Sequence, residues 1–294
     1  MIALNDLLVS ERIEPKTVLV LRHRPQEPQL RRTLGGLAAE QPVLFNAYQQ
    51  TQSERVEKQM QRAKHVASFI GHEPSKALFV GLYQVGTSKI LTREQYWQVP
   101  ENIELRDKFG MRGFVEEKDD RSSILWFDLG LMDTYACWKG KLIISWPPPE
   151  ISWSRWAAGN EMPVAAILEE SVLEKPMPRW DEICLAWGEL SLLSATWKSK
   201  LAEWRAIYYI FDISDGKGYV GSAYGDTNLN RRWETYATTG HGGNRLLCER
   251  DPKNFRFSIL QRVSPDMDTE DVISLENTWK KRLHTRDPLG LNDN

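Results

Sequence analysis

Short, densely apolar runs alternate along the chain with stretches in which leucine recurs at helical spacing. Leu4, Leu7 and Leu8 share one face of a helix expected over residues 3–11. Thr17-Val18-Leu19-Val20-Leu21 has the unbroken apolar character of a strand buried on both faces. Helical segments are expected over 28–39 and 43–68, the second with room for one break. Further strands are predicted from Lys76 to Val85, Ile124 to Leu129 and Lys141 to Trp146. Pro147-Pro148-Pro149 ends the last of these, because proline has no N–H to give to a ladder. Both periods within residues 1–172 imply a mixed α/β domain. Glu174-Lys175-Pro176-Met177-Pro178 reads as a polar connector. It opens a linking segment, 173–205, predicted to be helical from Trp180 to Trp204 on Leu185, Leu190, Leu193 and Leu201, and to pack between the halves. A second domain runs over 206–294.

That second domain begins with two apolar strands, Ala206 to Ile213 and Tyr219-Val220-Gly221, around the turn Ser214-Asp215-Gly216-Lys217-Gly218. Glycines let the chain reverse there. Period-two alternation puts Tyr208 and Ile210 on one face and Ile207, Tyr209 and Phe211 on the other. Gly221 leaves room for a close approach by backbone or ligand. Asp226, Thr227 and Asn228 offer cap side chains to a helix whose buried face carries Leu229, Trp233 and Tyr236. Arg232 falls on that face, so its charge requires a partner or a polar cleft; Arg231 points to solvent. In the last helix Val272, Leu275, Trp279 and Leu283 form the apolar stripe, and Glu276 lies on it. Its carboxylate is compensated either by a salt bridge, with Arg232 a candidate, or by a divalent cation, for which a hard oxygen ligand suits.

Composition narrows the class. The chain has 294 residues, 41% hydrophobic and 27% charged, with a formal net charge of -2. Its apolar runs are too short to cross a bilayer. Three scattered cysteines argue against a disulfide framework and a zinc site, and point to a reducing cytoplasm. Near neutrality disfavours a bulk-charge nucleic-acid binder. Within the last ninety residues or so, however, the charges segregate. Arg231, Arg245 and Lys280 stand among the basic positions that suit phosphate contact, apart from an acidic stretch at 266–271.

Taken in order, Ala206-Ile207-Tyr208, Tyr219-Val220-Gly221, Asn228 to Trp233, Phe257 to Leu260 and Leu275-Glu276-Asn277-Thr278-Trp279 resemble the GIY-YIG nuclease family. The resemblance covers about Ala206 to Asn292. It implies a small central antiparallel sheet flanked by helices, and so an α/β (α+β) chain. By resemblance the family's arginine falls on Arg232, its metal-binding glutamate on Glu276, and a terminal asparagine on Asn292. Ala206 replaces the first motif glycine. Tyr236 stands where a histidine often follows the arginine by one helical turn, and can still bond a phosphate oxygen. His241 is similar to a polar position in some members.

The chemistry implied is phosphodiester hydrolysis assisted by Mg²⁺ or Mn²⁺. Glu276 holds the metal in this reading and Arg232 offsets charge on the phosphoryl oxygens. Tyr208 acts as general base for the attacking water, either with its phenol depressed from an ordinary pKa of about 10 or through an intervening water, and Lys217, two residues before Tyr219, either lowers the tyrosine pKa or lies at the surface. Tyr219 orients water or phosphate. The partner is DNA, with no membrane role, and a homodimer is one way to cut both strands. The N-terminal domain would select the target, including modified bases, in restriction or antiviral defence. Most of its tryptophans, among them Trp126, Trp138, Trp146, Trp153 and Trp156, surround the predicted strands and either fill the core or stack a base. Leu78 to Val85 faintly resembles a strand of PUA-like base-reading domains, and Arg22-His23-Arg24 follows the first strand, either meeting phosphate or lying in a solvated loop. Rival readings are a structure-selective nuclease of repair or mobile elements, and a non-catalytic nucleic-acid-binding protein on a nuclease scaffold.

Overall fold

The computed structural model describes residues 2–115, 120–173, 176–225 and 228–293. The expected caps Asp226 and Thr227, and Glu174-Lys175 of the connector, lie outside the described residues. The chain divides into two compact units, Met1–Lys175 and Pro176–Asn294.

The first unit contains α1 (Leu4–Ser10), β1 (Val18–His23), α2 (Pro28–Glu40), α3 (Pro42–Gln49), α4 (Glu54–Met60), β2 (His65–Gly71), β3 (Lys76–Thr92), α5 (Arg93–Gln98), α6 (Pro100–Phe109), β4 (Ser123–Leu131), β5 (Leu142–Ser145), β6 (Ser154–Trp156) and β7 (Val164–Ile167). The strands form one sheet in the order β6-β1-β2-β3-β5-β7, with β4 also on β3. Only β1 and β2 among the described strands run parallel. Every residue of β1 is buried, as its continuous apolar run requires. Val18 and Val20 face one core with Phe69 and Phe79, while Leu19 and Leu21 face another with Val56, Tyr83 and Phe127.

The helical segment expected over 43–68, with room for one break, takes the form of α3 and α4, but its last residues begin β2 instead. Periodicity missed β2 because its pairing partner, β1, lies more than forty residues away, with Val18 opposite His65. β3 continues to Thr92, pairing with β4 on both sides of a register shift between Val85 and Ser88. Helix α5 starts at a capping box, Thr92 with Gln95, and α6 ends on Gly110 at φ 70.

The second unit contains β8 (Cys184–Ala186), α7 (Ala195–Glu203), β9 (Arg205–Asp212), β10 (Gly218–Ala223), α8 (Asn228–Thr239), α9 (Arg245–Cys248), β11 (Phe255–Val263) and α10 (Thr269–Arg282). Its antiparallel sheet runs β10-β9-β11-β8. The continuous helix predicted from Trp180 to Trp204 is not present. The segment instead supplies strand β8, whose Leu185 sits opposite Phe257, then a short 3₁₀ turn and α7. Pairing with β11 satisfies its backbone in a way no local pattern announces.

The hairpin has the predicted faces. Ala206, Tyr208 and Ile210 pack with Leu229, Trp233 and Tyr236 of α8, whereas Ile207 and Val220 pack with Val272 and Leu275 of α10. Helices thus cover both sides of the sheet and leave β10 at its edge. Leu283 is exposed and the lower part of the α10 stripe is completed by Lys280.

Candidate active site

The site is built around one buried phenol. Tyr208 on β9 pairs with Gly221 on β10, and a Cβ at Gly221 would overlap the Tyr208 ring end. The missing side chain gives the phenol a path across the strand. Its hydroxyl accepts a hydrogen bond from Arg232 Nε at 2.9 Å and lies 3.1 Å from the Tyr236 hydroxyl. Arg232 also stacks over the Tyr236 ring, 5.5 Å from its centroid. The inward arginine therefore finds two phenols as partners, not Glu276.

Tyr208 is 0% exposed, and burial pushes its pKa up from the ordinary phenol value, beyond what the Arg232 charge pulls back. Of the two ways for Tyr208 to act as a base, burial disfavours the depressed tyrosinate. Lys217 does not supply the missing charge, because its ammonium donates to the Pro288 carbonyl at 2.9 Å. Tyr236 is likewise driven up by burial. Tyr219, 7% exposed, is the phenol that lines the cleft.

That cleft has a volume of about 450 Å³, and Tyr219, Ser222, Arg231, Arg232 and Glu276 are on its walls. It lies at the β10 edge and takes residues from both faces of the sheet: Arg232 comes from α8 and Glu276 from α10. Glu276 Oε1 accepts from Lys280 Nζ at 2.7 Å, and Glu276 Oε2 accepts from the Ser222 hydroxyl. Lys280 is 2% exposed. The assignment of Lys280 to a DNA surface is corrected accordingly, because its ammonium is spent on the carboxylate one turn earlier. Its role was legible in the Glu–Lys spacing of four residues. Ser222 belongs to the Gly221-Ser222-Ala223 stretch that resembles the family, but a single serine inside a strand carries no pattern that assigns it a role.

Other expected contributors lie elsewhere. Asn292 is buried, its side chain donating to the Val220 carbonyl at 2.8 Å and accepting from the Val220 N–H at 2.9 Å. It closes the outer edge of β10 beside Tyr219 and does not line the cleft. His241 Nδ1 accepts from the Gly243 N–H at 3.0 Å within its own loop, outside the cleft lining. Gly242 of that loop, at φ 58, lies against the Tyr236 ring, where a Cβ would overlap it. Arg245 is exposed and 3.5 Å from Asp293. Arg231 is exposed at the cleft wall.

No group of three His, Cys, Asp or Glu side chains among the described residues could hold a metal. Glu276 at the cleft wall, with the Ser222 hydroxyl beside it, fits a different mode. Mg²⁺ is commonly held by one or two carboxylates, with waters and substrate phosphate completing its shell.

Residues 205–288 match the GIY-YIG catalytic domain family. Among solved structures the chain is similar to the catalytic domain of the homing endonuclease I-TevI, with 26% identity over 31% of this chain and 98% of that one, at a TM-score of 0.26. Comparison with curated proteins gives no match.

Proposed function

We infer that this chain, whose residues 205–288 form a GIY-YIG catalytic domain and hence a phosphodiester-hydrolysing nuclease unit, is a metal-dependent DNA endonuclease whose N-terminal unit selects the target. The observation that carries the reading is the convergence of Tyr219, Arg232 and Glu276 on one cleft at the β10 edge.

Each side chain then has a role that its placement supports. Arg232, held at Nε by Tyr208, keeps its other nitrogens for phosphoryl oxygens, on which charge grows in the transition state. Arg231 binds a neighbouring phosphate from the same wall. Tyr219 meets the attacking water in the cleft. Tyr208 and Tyr236, sealed and protonated, act as positioning residues that fix the guanidinium. Glu276, with Ser222, would hold the cation, and Lys280 orients the carboxylate. The cation, when bound, supplies electrostatic stabilisation of the departing 3′ oxygen. The products are a 5′-phosphate and a 3′-hydroxyl. Restriction of foreign DNA, with modified bases among the targets, suits a cutting unit joined to a larger selecting one.

The test is nicking of supercoiled plasmid by the purified full chain in Mg²⁺ and in chelator, with end-labelling of the products. Cleavage confined to Mg²⁺ and leaving 5′-phosphates is expected. Binding without any cleavage on plain, branched or base-modified DNA would favour a non-catalytic scaffold, and preference for branched DNA would favour a repair or mobile-element nuclease.

A further inference from the structure

The N-terminal unit has a pocket of about 700 Å³ at the C-terminal end of β1. Its lining carries a cation in an unusual state. Arg22 is 1% exposed, and its Nε and Nη1 have no hydrogen-bond partner among the described residues. Its remaining contacts are weak: Nη2 is 3.6 Å from Glu150, and the guanidinium lies 5.6 Å from the Trp146 ring centroid. Buried donors without acceptors cost free energy, which a ligand presenting acceptors would recover.

The rest of the lining narrows what that ligand is. Tyr48, Tyr96, Phe114 and Trp153 contribute aromatic rings. His23, beside Arg22, has its pKa pushed down to about 4 by burial, so it stays neutral near pH 7. Arg24 is more than half exposed among the lining residues, where a backbone phosphate would pass. A small inorganic anion would leave the rings unused, and an apolar ligand would leave Arg22 unpaired. A purine meets both requirements: guanine presents O6 and N7 as acceptors to an arginine and offers a flat face to the rings. Of the tryptophans expected either to fill the core or to stack a base, Trp153 alone among the five lines this pocket, and Trp146 is core, its N–H bonded to the Ser152 carbonyl.

We propose that this pocket takes a single guanine-like base extruded from DNA, with the acceptor edge on Arg22, the ring among Tyr48, Tyr96, Phe114 and Trp153, and the flanking phosphate at Arg24. The assignment of DNA as the source rests on the nuclease reading above. Extrusion costs unstacking energy, so a base already without a partner should bind best.

Full-length protein carrying Glu276→Ala is titrated onto a duplex with one guanine opposite an abasic site and onto the same duplex fully paired. The abasic duplex should bind tighter by about tenfold, equivalent to about 1.4 kcal/mol. Arg22→Met and Trp153→Ala, added separately, should abolish that preference. Trp153→Ala decides the matter if the Arg22 variant does not fold. Equal binding to both duplexes, or a preference that survives in folded variants, overturns the proposal. Free guanosine monophosphate competing as strongly as the abasic duplex would assign the pocket to a free nucleotide and overturn it too. Failure of the nuclease reading would show separately, as absence of nicking by the wild-type chain.

Discussion

At the scale of single residues, the two strand tyrosines are chemically alike and differ in what surrounds them. Tyr208 is sealed between Arg232 and Tyr236, whereas Tyr219 lines the cleft. Tyr219→Phe should lower the single-turnover nicking rate by tenfold or more, about 1.4 kcal/mol in the barrier, with the melting temperature unchanged. Tyr208→Phe removes a buried hydrogen-bonded hydroxyl, so it should cost about 1 kcal/mol of stability as well as activity. Denaturant unfolding of both variants separates the two effects. The pH dependence follows from the same burial. A phenol whose folded pKa lies above its unfolded value keeps its full stabilisation below the unfolded value of about 10, and loses it only as pH rises further. Tyr208 and Tyr236 thus give the fold no pH dependence between 6 and 9, roughly, and unfolding midpoints across that range should reflect other groups. Arg232 and Glu276 stood out in the sequence because a charge on an apolar helical stripe is conspicuous. The partners were harder to read: Arg232 found one phenol on the facing strand and another on its own helix, and Glu276 found a lysine on its own helix.

At the scale of elements, β10 is the piece on which the site depends, and it is an edge strand. Asn292 supplies the hydrogen bonds that a further strand would give Val220. Asn292→Ala leaves a buried N–H and C=O unpaired, which should cost about 2 kcal/mol in denaturant unfolding and reduce nicking through loss of β10 order. The hairpin turn is braced in another way: Arg250 bonds Asp212 at 2.7 Å and Asp215 at 2.9 Å. Burial works against the Asp212 carboxylate, yet the Ser214 and Arg250 bonds hold its pKa below the ordinary range. A depressed carboxylate stabilises above its unfolded pKa of about 3.9 and loses that contribution as pH falls through the folded value. Arg250→Met should therefore cost about 2 kcal/mol near neutrality, with the deficit against wild type shrinking in acid as the wild type loses the same contribution. The β9–β10 hairpin was legible from sequence because its turn and its alternation are local. Strands β2 and β8 were not, because each is made a strand by a partner remote in the chain, Val18 to His23 for one and Arg256 to Ser258 for the other.

At the scale of the whole molecule, two compact units divide the chain between Lys175 and Pro176. The chemistry of the second was readable because its motifs recur in order at fixed spacing, each residue type answering a requirement of phosphodiester hydrolysis. That of the first was not. Arg22 and His23, expected either to meet phosphate or to lie in a solvated loop, end a fully buried strand, and no local pattern distinguishes a buried arginine from a solvated one. No helix among the described residues is long and apolar enough to cross a membrane. The proposed chemistry depends most on the cleft carboxylate. Its direct test is the Mg²⁺-dependent nicking rate of Glu276→Ala beside wild type on one DNA, with matched folding confirmed by circular dichroism. A fall of at least about a hundredfold, roughly 2.7 kcal/mol in the barrier, is predicted; equal rates would contradict the assignment of that cleft as the place where DNA is cut.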